Sequence, residues 1–260
     1  MNPHPGPRPA DAVRAGIITA DEVEAARREL PEHVFRELYL AEPSEDGSNP
    51  FGLRHIAGCV GPLSTSTPEV FGVDLAKSVD WTVVVGLDKG RRVCVFERWQ
   101  QAAWSDTQER ILSLVGGRPA LVDSTGVGDP IVEALRRRAG NIEGFKFTQT
   151  SKQQLMEGLC LSVQRREVGV LDGPIRAEME SFEYEPTRTG VRYAAPEGLH
   201  DDCVVALALA NERGRRYAEV GVTICTPLAR RAPEPVGDIH AWFRERRRDP
   251  NWGFPPLSLN

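Results

Sequence analysis

Aspartates stand at the ends of apolar runs in three separate parts of this sequence. Asp74 closes the run VFGVD, Asp123 closes PALVD, and the pair Asp201 and Asp202 opens DDCVVALALA. An aspartate at the tip of a core element adds nothing to packing, because its charge is costly to bury unpaired. Three such carboxylates that converge would suit Mg²⁺ or Mn²⁺, which prefer carboxylate oxygens as ligands. The chemistry that such a cluster supports is two-metal cleavage of a phosphodiester bond.

Two further polar residues lie close in sequence to these aspartates. Asp80 precedes Trp81 in a predicted turn, from which it could return to the end of the strand that carries Asp74, although a plain turn aspartate explains it equally well. His200 stands just before the acidic pair, and a histidine at a helix start is an equal alternative. Within the pair, Asp201 is expected to cap the helix. Asp202 should instead lean over the buried side, because it shares a helix face with Ala206.

The surrounding pattern predicts an α/β fold with a mixed central sheet flanked by helices. Three β-rich runs between residues 67 and 99 predict an antiparallel meander, and the strands that follow alternate with helices, which is typical of parallel pairing. This element order is that of the ribonuclease H-like fold. Ligands of open α/β sheets bind at the carboxyl ends of the strands, where we expect Asp123 and its glycine-rich turn.

Short sequence motifs predict individual helices, and changes in composition divide the chain into segments. Thr19 and Glu22 form a predicted capping box, and residues 173–186, GPIRAEMESFEYEP, are predicted as one helix. We expect four segments: a disordered N-terminus (1–18), a helical linker (19–66), a nuclease domain (67–225) and a Pro-rich basic tail (226–260).

Composition excludes several classes of protein. The 260 residues are 40% apolar and 27% charged, with no apolar run long enough for a membrane span and no signal-peptide core. The five scattered cysteines form no C-x-x-C pair, which argues against a zinc site or a disulfide framework and favours a reducing cytoplasm. The net charge of −5 would not by itself suggest a nucleic-acid partner.

Several stretches, in order, resemble the nuclease domain of the large terminase subunits of tailed bacteriophages. They are VFGVDLAKSVDWTVVVGLD, ALVDSTGVGDPIVEAL, SKQQLMEGL and YAAPEGLHDDCVVALALA, which together span about residues 67 to 213. The segment LPEHVFRELYLAEPSEDGSNPFG is similar to the connection between the ATPase motor and the nuclease of that family. The sequence contains no Walker A loop. We therefore expect a nuclease half that is truncated or encoded apart from its motor.

The resemblance implies an endonuclease that cleaves concatemeric double-stranded phage DNA during genome packaging in the bacterial host cytoplasm. It implies that Mg²⁺ or Mn²⁺, as two ions about 4 Å apart, are held by Asp74, Asp123 and Asp202, with Asp201 as a further ligand. Which of Asp201 and Asp202 is the principal ligand stays open. Accessory roles are implied for three residues, namely Asp80, His200 and, as a DNA phosphate contact, Lys152. A separate ATPase, a small terminase subunit and a portal protein are the expected protein partners.

Two other interpretations stay open at this point. One is another nuclease of the same fold, such as a Holliday-junction resolvase, a transposase or a ribonuclease H. The other is a packaging component, or a prophage remnant, that binds but does not cut. Substrate preference separates the first from a terminase nuclease, and only activity decides the second.

Overall fold

The protein is described by a computed structural model that covers residues 9–14, 16–40, 42, 47–76, 80–126, 128–187 and 190–223. The predicted tail 226–260, and residues 1–8 of the predicted disordered N-terminus, lie outside these residues. The chain divides into the units Met1–Val220 and Gly221–Asn260, of which the first contains the sheet. The helices and strands are, in chain order, α1 Pro9–Arg14, α2 Ala20–Glu29, α3 Glu32–Phe35, a π-helical turn Arg36–Leu40, α4 Leu53–Cys59, β1 Val60–Gly61, β2 Val70–Asp74, β3 Thr82–Leu87, β4 Val93–Trp99, α5 Trp104–Val115, β5 Ala120–Asp123, α6 Gly128–Arg138, β6 Ile142–Phe145, α7 Gln149–Gln164, β7 Val170–Leu171, α8 Pro174–Ser181, β8 Glu183–Thr187, β9 Gly190–Ala194 and α9 Asp202–Thr223.

A five-stranded mixed sheet forms the centre of the fold. The strand order is β4-β3-β2-β5-β6, with β2 in the middle. Strands β2, β3 and β4 pair antiparallel, whereas β5 pairs parallel with both β2 and β6. The predicted meander followed by parallel strands is therefore confirmed. Because β2 is the central strand, the residue at its end is held by neighbours on both sides.

Alternation along the strands divides the apolar residues between two cores. One side of the sheet carries Phe71, Val73, Val84 and Val122 against helices α5 and α6. The other side carries residues such as Val83 and Leu121 against α7, α8 and α9. Since side chains alternate along a strand, Asp74 lies on the same side as Val83, its cross-strand partner.

Glycine at position 72 allows helix α9 to lie directly on the central strand. A Cβ at Gly72 would stand 2.2 Å from both the carbonyl oxygen of Ala206 and the amide nitrogen of Ala210. No side chain fits there without a backbone shift. Helix α9 is lined on this side by small and apolar residues, and from Cys203 to Ala210 it is buried at every position. The body of α9, at Ala206 and Ala210, is consequently held against β2 two residues before Asp74.

The segment before the sheet packs into the same core. Phe51 and Ile56 are fully buried among the core residues of the α9 side. The Asn49 side chain donates to the carbonyl oxygens of Met179 (2.8 Å) and Phe182 (3.2 Å), and so ties this segment to the end of α8. The predicted boundary at residue 66 stays a prediction, but the linker is joined to the domain by core contacts.

The predicted local signals were only partly correct. The capping box of Thr19 and Glu22 at the start of α2 is confirmed. The single helix predicted over residues 173–186 is wrong, because α8 ends at Ser181 and residues 183–187 form a strand paired with β9. No helix within the described ranges is both long and apolar enough to cross a membrane.

Replacing Gly72 by alanine should destabilise the fold by roughly 3 kcal/mol, at the upper end of what overpacking costs. The added methyl group meets backbone atoms of α9, which cannot move aside as a flexible side chain would. Urea denaturation would measure the change. The matched control is Gly140→Ala, where the added Cβ meets nothing within 4 Å. Equal stability of the two variants would contradict the close contact of α9 with β2.

Candidate metal centre

The register of the parallel strands brings two of the aspartates side by side. Val73 in β2 is paired with Val122 in β5, so the next residues, Asp74 and Asp123, lie at adjacent carboxyl ends of the sheet. Asp123 shares its side of the sheet with Leu121, which belongs to the core beneath α9. Both carboxylates therefore face the side on which α9 begins.

The start of α9 adds the acidic pair. Asp202 is the first residue of the helix and is only 8% exposed, and its Oδ2 accepts a hydrogen bond from the backbone N–H of Trp81 at 3.1 Å. Asp201 is partly buried, and its Oδ2 lies 3.0 Å from Nζ of Lys152. The prediction that Asp202 leans over the buried side is consistent with this geometry. Both acids of the pair thus turn towards the strand ends.

The electrostatics of the cluster show how closely these groups interact. Burial raises the pKa of Asp74 well above its usual range, and the charges of Asp123, Asp202 and Asp201 raise that pKa further, while Lys152 opposes them. Burial likewise raises the pKa of Asp202, and the hydrogen bond from the Trp81 N–H works against this shift. Among the described residues, Lys152 is the lysine that acts on this group of four carboxylates. A divalent cation would relieve their mutual repulsion, and the all-oxygen donor set suits a hard cation such as Mg²⁺ or Mn²⁺.

Asp80 and His200 extend the cluster outwards. Nδ1 of His200 lies 3.5 Å from Oδ2 of Asp202 and 3.7 Å from Oδ1 of Asp80. Together these three residues offer metal-ligand atoms that all lie within 4.8 Å of one another. Asp80 and His200 are exposed, whereas Asp202 is buried and its charge also acts on Asp74. The structure therefore brings both accessory residues to the site, as their position in the sequence suggested.

The strand-to-helix turn after β5 fixes the direction of Asp123. The backbone N–H of Thr125 donates to Oδ1 of Asp123 at 2.8 Å, and Thr125 Oγ1 accepts from the N–H of Phe147 at 2.9 Å. A Cβ at Gly128 would lie 2.6 Å from the carbonyl oxygen of Asp123, so only glycine allows the helix to start this close to the strand. The glycine-rich turn serves to place the carboxylate.

Lys152 reaches the cluster from the first turn of α7. Thr148 caps this helix by accepting from the N–H of Ser151, and the Ser151 side chain accepts in return from the N–H of Thr148. The cap fixes the first turn, and Lys152 is held against Asp201 rather than extended into solvent. Its contact with a DNA phosphate stays a prediction.

Sequence reasoning missed three participants. Trp81 acts through its backbone, which carries no signal in the sequence. Arg98 stacks over the Trp81 ring, with its Cζ 4.3 Å from the ring centroid. Glu178 caps α9 from another helix: its Oε2 accepts from the N–H groups of Cys203 (2.7 Å) and Val204 (3.3 Å). The expectation that Asp201 would supply this cap is therefore corrected, because its carboxylate is directed to Lys152 instead.

Solved structures of phage large terminase nucleases are similar to this chain. The magnesium-bound nuclease of thermophilic phage G20c is 27% identical, with a TM-score of 0.58 over 66% of this chain and 99% of that one. The cobalt-bound form is 29% identical, with a TM-score of 0.53 over 58% and 84%. The nuclease domain of Thermus phage P74-26 is 25% identical, with a TM-score of 0.52 over 61% and 92%. No family model and no curated protein matches the sequence. The predicted ribonuclease H-like fold is confirmed.

Replacing Asp74 by asparagine should stabilise the metal-free protein. A carboxyl group whose pKa is raised in the fold favours folding below its unfolded value of about 3.9 and opposes it as the pH rises. The gain in stability should therefore be present at pH 7. It should vanish near pH 3.5, where the Asp74 carboxyl of the wild type is protonated and, like asparagine, carries no charge. We expect Tm in EDTA to rise by about 2–4 °C, the shift that ~1 kcal/mol produces in a domain of this size. A lower Tm for the variant at pH 7 would contradict the charge cluster.

Proposed function

We propose, on the premise that this chain is a structural relative of the phage large terminase nucleases, that it is a metal-dependent endonuclease acting on double-stranded DNA during genome packaging. The observation that carries the proposal is the convergence of Asp74, Asp123, Asp201 and Asp202 at one end of the sheet. The magnesium- and cobalt-bound nuclease structures of phage G20c support a divalent metal as the cofactor. We infer the DNA substrate from the similarity to large terminase nucleases.

In the proposed mechanism each carboxylate has a part set by its position. Asp74, at the end of the central strand, would hold two Mg²⁺ or Mn²⁺ ions together with Asp123, Asp202 and Asp201. When bound, the ions supply a water activated for attack and neutralise charge on the leaving oxygen. At the outer edge of the cluster, His200 would orient a water or meet the scissile phosphate, and Asp80 would assist as an accessory residue.

Lys152 would assist by balancing charge. Its ammonium group, 3.0 Å from Asp201, would offset part of the negative charge of the cluster in the absence of a cation. A metal bound to the carboxylates would balance part of the negative charge in place of Lys152. The lysine is then placed to contact a phosphate beside the site, as the sequence resemblance implies.

An exposed arginine gives the proposed DNA a second point of contact. Arg98 is the cross-strand partner of Val83, which is in turn the partner of Asp74, so the three side chains lie on one rung and one side of the sheet. The Trp81 ring beneath its guanidinium holds Arg98 in place. The Arg98 charge also acts on Cys203. Burial raises the pKa of the Cys203 thiol, and the charge of Arg98 opposes this shift. A phosphate that reaches the acidic site would pass this guanidinium.

The protein partners are proposed from the same relationship. An ATPase motor, a small terminase subunit and a portal protein would bring DNA to this nuclease in the cytoplasm of the host.

Purified protein should nick and linearise supercoiled plasmid DNA when Mg²⁺ or Mn²⁺ is present, and EDTA should stop the reaction. Asp74→Asn should reduce cleavage to the level of the EDTA sample, because the shared metal ligand is lost. Agarose gel electrophoresis measures both effects. The matched control is Asp106→Asn, which removes an exposed carboxylate on α5, a helix that packs on the opposite side of the sheet.

Metal-dependent cutting that survives in Asp74→Asn would contradict the assignment of the site. Absence of cutting by folded wild type in either metal would favour a binding component without catalytic activity. Cleavage confined to four-way junctions or to RNA–DNA hybrids would instead indicate another nuclease of the same fold.

Replacing Arg98 by glutamine should weaken binding of a DNA duplex by about 5- to 10-fold at low salt and reduce the salt slope by about one, as expected for one lost phosphate contact. Fluorescence anisotropy in Ca²⁺ would measure the change. Arg137→Gln is the matched control: Arg137 is exposed, and it lies in the last turn of α6, at the end of that helix remote from Asp123. If the two variants bound DNA equally, Arg98 would have no role in DNA binding.

A further inference from the structure

The start of helix α9 is capped by a residue from elsewhere in the chain. The first N–H groups of a helix have no partner within it and must find acceptors outside. Oε2 of Glu178 accepts from Cys203 at 2.7 Å and from Val204 at 3.3 Å. These are the two residues that follow Asp202. One carboxylate oxygen thus satisfies both donors next to a proposed metal ligand.

A Ser, Thr, Asp or Asn residue before the first turn can supply this cap with its own side chain. Here that residue is Asp201, an aspartate and hence one of the strongest capping residues. Its backbone takes the capping position, since its carbonyl oxygen accepts from the N–H of Val205 at 2.9 Å. Its carboxylate, however, pairs with Lys152. The side-chain cap of α9 therefore comes from Glu178 and not from the neighbouring Asp201.

Helix α8 holds Glu178 firmly in this position. Ile175 and Met179, on either side of Glu178 in the sequence, are both fully buried. At the end of the helix, the side-chain amide of Asn49 donates to the carbonyl oxygens of Met179, Glu180 and Phe182. The cap of α9 is therefore carried by a helix that is packed and bonded independently of the acidic cluster.

We propose that Glu178 is a positioning residue, which caps α9 so that the carboxylate of Asp201 is free to face the metal site and Asp202 keeps its direction. This role rests on the proposed function of the acidic cluster. Without Glu178, the N–H groups of Cys203 and Val204 would recruit the nearest acceptor, the side chain of Asp201. That movement would take Asp201 away from Lys152 and from the metal.

The test is Mn²⁺ binding to the full chain by isothermal titration calorimetry, without DNA. Glu178→Ala should weaken Mn²⁺ binding by about 10- to 100-fold, as expected when a group that orients a metal ligand is removed. Glu178→Gln keeps an acceptor oxygen and should stay within about 3-fold of wild type. Glu178→Met keeps the length of the side chain without an acceptor and should behave as the alanine variant does, even if alanine fails to fold. The control Glu180→Gln removes a carboxylate of the same helix that pairs with Arg176 on its exposed side.

A double-variant cycle separates positioning from general destabilisation. Asp201→Asn alone should weaken Mn²⁺ binding by about 10-fold, but it should change binding by less than 3-fold when Glu178 is already methionine, because Asp201 has then left the site. Additive effects, or wild-type affinity in a folded Glu178→Met, would overturn the proposal. Mn²⁺ binding by wild type without DNA cleavage would overturn only the proposed function. Absence of Mn²⁺ binding by wild type would overturn both.

Discussion

The contact of helix α9 with strand β2 at Gly72 determines the geometry of the acidic site. The strand ends in Asp74 and the helix begins with Asp202, so the distance between these elements sets how closely their carboxylates approach. A larger side chain at position 72 would push the helix away by its backbone, since the Cβ would stand 2.2 Å from Ala206 and Ala210. Gly128 has the same function beside Asp123. Two glycines thus allow a close approach of the elements that carry the carboxylates.

The fold holds together a group of charges that would separate if they were free. Burial and mutual repulsion raise the pKa of Asp74, and Lys152 balances part of the negative charge. The surrounding structure overcomes this repulsion with elements anchored elsewhere: the central strand has neighbours on both sides, and α9 is buried from Cys203 to Ala210. A fold that holds such charges near one another without a cation is partly preorganised for a metal site.

The sequence predicted the fold better than it predicted the contacts within the site. Strand alternation and glycine-rich turns indicated where Asp74 and Asp123 would lie, because strand ends and tight turns are properties of local sequence. Strand β8 was missed, since Glu183 and Tyr184 continue a helical pattern and pair with β9 only in the tertiary fold. Glu178 was missed for a related reason: it acts on Cys203 from another helix, 25 residues away in the sequence. A contact of this kind leaves no periodic signal.

The most direct test of the proposed metal centre is to locate the metal itself. Crystals of the protein grown with Mn²⁺ would be measured at the manganese absorption edge, and the anomalous density would show each ion. We predict two peaks at the carboxyl end of the sheet, with oxygens of Asp74 bound to both and those of Asp123 and Asp202 on either side. A single peak among Asp80, His200 and Asp202, or none at the strand ends, would contradict this arrangement.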